Sequence, residues 1–179
     1  MFGLRLVGKK GMMREEIERY AMEVLQKHGL FSLPVDPVVL ANREGIKVHN
    51  AKFSDDSISG MVARRGDNVS MLVDQSDPPY RKRFSIAHEL GHHFLHLAGD
   101  GEIVTKRVDL FRESIKPEYE ADEGKRKEVE ANQFAAALLM PEVLLKEAWQ
   151  GRTCIREMAR LFNVSEEAMG IRLSSLRML

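Results

Sequence analysis

Thiols are almost absent from this chain of 179 residues. Cys154 is its one cysteine, so no internal disulfide can form and a reducing, cytoplasmic setting is expected. Long apolar runs are absent too. Neither Met1 to Lys10 nor any later stretch has the unbroken hydrophobicity of a signal peptide or a bilayer span, so no membrane association is expected. There is no surplus of charge of either sign. The 27 Lys plus Arg balance 27 Asp plus Glu, which removes the electrostatic case for a nucleic-acid binder. With 44% hydrophobic residues, the chain is still long enough for one domain with a real core.

What is present, and concentrated, is histidine next to glutamate. His88-Glu89-Leu90-Gly91-His92 is an H-E-x-x-H pattern. On a helix its two histidines lie one turn apart on the same face and can bite one metal ion. Glu89 points to the side of that pair and can act on a water as general base instead of ligating. A motif this short also arises by accident. The metal reading therefore requires a helix around it, a third ligand elsewhere and a scaffold that holds them together.

The surrounding pattern supplies a scaffold. Ile17, Tyr20, Ala21, Val24 and Leu25 recur at helical spacing over residues 14–28, with acids in the first turn and Gly29 past the end. Asp36-Pro37 reads as an N-cap and first helical position of a short helix stopped by Gly45, followed by a strand over 46–49. Residues 58–64 and 69–74 alternate around Arg65-Gly66-Asp67-Asn68 and predict a β-hairpin with one face on a core. Asp77-Pro78-Pro79 then opens a helix over about 79–97 that carries the motif. A strand edge beside that helix would suit an extended peptide. Residues 99–125 read as a solvated loop, with a short helix over 108–114. The expected division is a loose lead-in of 1–12, a body of 13–150 and a helical tail of 151–179 packed on that body.

A catalytic zinc site takes three protein ligands and leaves the fourth position to water. The helix over 126–140 offers the third. Glu128, Ala131, Asn132, Ala135, Leu138 and Leu139 form one stripe, small or apolar after its first turn. An acid at the end of a core-facing stripe needs a partner to offset its desolvation, and a metal held by two imidazoles is one. Glu128 is thus favoured over Glu130, which shares a side with Gln133 and Phe134 and remains the alternative. Asn132 is placed to hold a ligand histidine from behind. His96 continues the His88 and His92 stripe, but bridging to it from His88 would span about 12 Å. His93 and His96 are therefore expected at the surface or behind the ligands. Two histidines and a carboxylate suit zinc and do not by themselves exclude manganese or iron(II).

Three segments together resemble the ImmA/IrrE family of zinc metallopeptidases: Ile58-Ser59-Gly60-Met61, Arg83 through His92, and Glu128 through Pro141. The likeness runs from about Leu33 to Pro141. It implies a compact α+β, gluzincin-like domain, with a small sheet on helices, zinc on His88, His92 and Glu128, and Glu89 as base. It also implies a protein substrate, a helix-turn-helix repressor or antitoxin whose cleavage relieves transcriptional repression. Where gluzincins often carry E-x-x-x-D on the ligand helix, this chain has Asn132.

The tail, 152–179, reads as helix, turn, helix with Ser165 as N-cap, and resembles half of a helix-turn-helix unit. A DNA-reading second helix would be basic and polar, yet its first turn carries Glu166 and Glu167. Packing or substrate docking is the favoured role, and direct DNA contact the lesser one. The alternative to a peptidase is a non-catalytic metal-binding regulator that engages a repressor or DNA.

Overall fold

The elements follow the local chemistry of the chain. A computed structural model describes residues 11–97, 99–106, 123–149 and 154–179. Helix α1, Arg14–Lys27, begins where the Glu16 carboxylate accepts the Met13 amide at 2.8 Å. It buries the predicted stripe of Ile17, Ala21, Val24 and Leu25. Asp36 caps α2, Pro37–Arg43, by accepting the Val38 amide at 2.9 Å. Strand β1, Lys47–Ala51, follows, then the hairpin of β2, Ile58–Arg65, and β3, Asn68–Asp74. Val69, Met71 and Val73 face the core in alternation, as expected of a half-buried strand.

Beyond the hairpin, α3, Pro79–Leu95, carries the motif, and α4, Glu123–Leu139, packs against it. One expectation is corrected between them. Within the stretch read as loop, Gly101–Lys106 is a strand, β4, pairing antiparallel with β2. Its β-branched run of Ile103, Val104 and Thr105 finds a partner that the sequence does not reveal. The helix expected over 108–114 lies outside the described residues, as do residues 1–10 of the expected lead-in. Gly11 and Met12 are described, and Met12 packs on the core. Helix α5, Glu142–Trp149, has no counterpart among the sequence-based expectations.

The sheet order is β1-β3-β2-β4, with β1 and β3 parallel and the other pairs antiparallel. A bulge lies between Ile58 and Gly60, where two steps along β2 answer one along β4. Ser59 is the extra residue. Bulges re-aim side chains and are common beside functional sites. The helices cover the sheet in an α+β arrangement whose core joins Leu40, Met71, Leu90, Phe134 and Leu138. Among the described residues, no helix is long and apolar enough to cross a membrane.

The tail forms α6, Ile155–Phe162, and α7, Glu166–Ser175, with Ser165 capping α7 through the Ala168 amide at 3.1 Å. Arg172 of α7 is buried. It donates to the Met140 carbonyl at 3.0 and 3.1 Å and pairs with Glu18 of α1. Arg172 thus ties the tail to α1 and to the residue just past the end of α4.

Candidate metal centre

Helix α3 presents His88, Glu89 and His92 from its buried side, all three with no exposed surface. Helix α4 can approach closely because Gly91 has no side chain. A Cβ there would stand 2.9 Å from the Cα of Ala131 and 3.0 Å from its carbonyl oxygen. These are backbone atoms that cannot swing aside. Gly91→Ala is expected to destabilise the fold by about 1–3 kcal/mol through overpacking and to weaken metal uptake by moving α4 outward. Thermal unfolding with and without zinc checks both effects.

This approach brings Glu128 onto the histidines. Its two carboxylate oxygens lie 3.2 Å from His88 Nε2 and 3.2 Å from His92 Nε2, and the two Nε2 atoms are 2.9 Å apart. Ligand atoms held at 2.0–2.1 Å around a tetrahedral ion stand about 3.3 Å from one another. The observed spacing is close to that of a contracted ligand set. Asn132, one turn along α4, accepts from His88 Nδ1 at 2.8 Å, which in the neutral ring leaves His88 Nε2 as a lone pair facing a carboxylate. Lone pairs converging in this way call for a cation between them.

At His92 and Glu128 the electrostatics agree with the geometry. Burial pushes His92 down to about 4, against the opposing pull of Glu128. At neutral pH it is an uncharged imidazole, the form that ligates. Burial also works to lower His88, but Glu128, Glu89 and Asn132 outweigh it and raise the net value. Desolvation works to raise Glu128, yet the two histidines hold it well below the usual carboxylate range.

Glu89 stands apart from this cluster. Neither of its oxygens makes a well-aligned hydrogen bond among the described residues, although the Thr105 hydroxyl lies near enough to favour the charged form; burial outweighs both that hydroxyl and His88 and pushes the carboxyl up to about 7. Its carboxylate lies flat on β2, where a Cβ on Gly60 would come within 2.5 Å of Oε1. Gly60 pairs with Thr105 of β4, and the buried hydroxyls of Ser59 and Thr105 likewise make no well-aligned hydrogen bond among the described residues. A desolvated carboxyl raised to about 7 beside three potential ligands is chemically able to accept and return a proton.

The remaining expectations divide. Glu130 is not part of the cluster: its Oε2 lies 2.8 Å from His96 Nε2 and its Oε1 accepts the Met12 amide at 3.0 Å. His96 sits behind His92, and half-buried His93 packs edge-on to Phe94. Gly60 lies in the Ile58–Met61 segment that carries the resemblance, but spacing and chemistry assign no role to it or to Thr105, because that role depends on strand register.

Residues 41–174 match the Peptidase_M78 family, described as the IrrE N-terminal-like domain. A Mycobacterium tuberculosis transcriptional regulator of known structure shares the fold, with a TM-score of 0.62 and 22% identity. That match covers 89% of this chain and 46% of the regulator, so the chain spans less than half of that protein's length. No curated protein matches the sequence.

Proposed function

Since the chain belongs to the Peptidase_M78 family of IrrE N-terminal-like domains, we propose that it is a zinc-dependent endopeptidase cutting a regulatory protein, a helix-turn-helix repressor or antitoxin. One observation carries the reading. Two neutral-capable Nε2 atoms and a carboxylate converge within 3.2 Å of one another, beside a second carboxylate that is buried without a well-aligned hydrogen bond among the described residues.

In this reading His88, His92 and Glu128 would hold a zinc ion, which would supply Lewis-acid polarisation of the scissile carbonyl and acidify a water. Glu89 is placed to take a proton from the attacking water and to pass it to the leaving amine. No well-aligned hydrogen bond among the described residues ties up its oxygens, and Gly60 leaves them room. The sheet offers a way to hold the substrate. β4 is an edge strand among the described residues, and Thr105 on it neighbours Glu89. An extended peptide pairing with the free edge would lie alongside the base. The tail does not favour DNA contact: Glu166 pairs with Arg156 at 3.0 Å, and Arg172 is buried.

Gly60→Ala tests the space given to Glu89. Zinc content is expected to hold while kcat/KM falls by roughly 10²-fold, the usual effect of displacing a reacting group by about 1 Å. The function itself is tested by adding zinc-loaded protein to a lysate of its host and mapping new protein N-termini by mass spectrometry. A chelator-sensitive cut in a helix-turn-helix protein is expected. No zinc-dependent cut in any protein would overturn the proposal.

A further inference from the structure

A second polar chain stands behind His92, on the side away from the converging Nε2 atoms. His92 Nδ1 is 3.0 Å from His96 Nδ1, and His96 Nε2 is 2.8 Å from Glu130 Oε2. The other oxygen of Glu130 accepts the Met12 amide at 3.0 Å, and Arg126 Nε lies 3.6 Å from it. The side chains of His96 and Glu130 are only 5% and 6% exposed, so water does not compete freely for these contacts.

Counting protons along this chain gives it a direction. A carboxylate oxygen only accepts, so Glu130 requires the proton of His96 to sit on Nε2. In the neutral ring His96 Nδ1 is then a lone pair, and it faces a ring nitrogen that must donate. The proton of His92 therefore sits on Nδ1, and His92 Nε2 is left bare toward Glu128 and His88. Without Glu130, His96 could carry its proton on Nδ1. Two donors would then face each other, and His92 would be driven to place its proton on Nε2, the atom required to bind the ion.

We propose that His96 and Glu130 are positioning residues that hold His92 in the one tautomer able to ligate a metal through Nε2. His88 is fixed in the same sense by a single contact to Asn132. His92 is fixed through two links, the second anchored by the backbone of Met12. The inference rests on reading the cluster as a metal site, but its first test needs no metal.

Protein labelled with ¹⁵N-histidine and stripped of metal reports each ring's tautomer by multiple-bond NMR. His92 is expected to carry its proton on Nδ1 in the wild type and to shift toward Nε2 protonation in Glu130→Ala. Zinc affinity, measured by competition with a chromogenic chelator, should fall roughly 10–100-fold in both His96→Ala and Glu130→Ala. The double variant should lie within about threefold of the weaker single one, because the two residues act through one chain. Should Glu130→Ala unfold, Glu130→Gln serves. Its amide oxygen satisfies only one of the two donors, so a weaker site is still expected. Folded variants that bind zinc like the wild type would overturn the proposal, as would a wild-type His92 protonated on Nε2. A wild type that takes up no zinc refutes the peptidase reading instead, and the tautomer still decides the relay.

Discussion

Glu89→Gln is expected to lower kcat/KM on the physiological substrate by roughly 10²–10⁴-fold, the range that general acid–base catalysis contributes, while leaving zinc content unchanged. The carboxamide has nearly the shape of the carboxylate, so the space above Gly60 stays filled and the ligand cluster keeps its geometry. It cannot take a proton. The same change should stabilise the metal-free fold, for a reason visible in the structure. Glu89 is fully buried without a well-aligned hydrogen bond among the described residues, and burial raises it from 4.5 to about 7. A carboxyl raised on folding binds its proton more tightly in the folded state, so its penalty grows as pH rises from about 4.5 and is complete above about 7. The full penalty is roughly 3 kcal/mol. Glu89→Gln should therefore match the wild type in stability near pH 4 and exceed it at pH 8. Denaturant titrations of the metal-free proteins at the two pH values read this directly. Activity within tenfold of the wild type would remove Glu89 from the mechanism, and an unchanged stability gap would show that its carboxyl is not desolvated as described.

Much of the site is legible in the sequence because it is local. His88, Glu89 and His92 occupy one turn, and their relation follows from helical spacing alone. The side of α4 on which Glu128 lies points to it over Glu130, and the structure sets Glu128 against the two histidines, although burial argues the other way: Glu130 is the more buried acid, satisfied by His96 and the Met12 amide. What spacing does not disclose is pairing at a distance. Strand β4 was hidden by Asp100-Gly101 on one side and by charge on the other, and only its register with β2 sets Thr105 opposite Gly60. Gly60 itself reads as a weak strand residue until the helix bearing Glu89 is laid across it. His96 is the instructive intermediate. Its position on the His88 and His92 stripe is plain, and the distance argument excludes it as a ligand. Its place in a chain to Glu130 depends on α4, more than thirty residues away in sequence. Local periodicity names the residues, and tertiary contact assigns their partners.

Glu128→Ala is expected to abolish stoichiometric zinc binding, a loss larger than the roughly 10–100-fold that removal of an outer partner costs. Among the described residues the carboxylate is the one negative charge touching both Nε2 atoms, and it is only partly exposed, with about a third of its side-chain surface reaching solvent. Removing it leaves two imidazoles and no carboxylate ligand, with Glu89 beside them the remaining acid and not in the ligand cluster. The contrast with Glu130 makes the experiment decisive. Both acids lie on α4 two residues apart, yet Glu130 reaches the site only through His96, so Glu130→Ala should weaken zinc binding and Glu128→Ala should eliminate it. A ligand that binds only the folded chain stabilises it by about 4 kcal/mol at a thousandfold excess over Kd. Added zinc should therefore raise the melting temperature of the wild type, raise that of Glu130→Ala only at higher concentration, and leave that of Glu128→Ala where it was. If instead Glu130→Ala loses the zinc response and Glu128→Ala keeps it, the ion is held on the other side of His92. The chain through His96 would then have to be redrawn as part of the metal's own coordination.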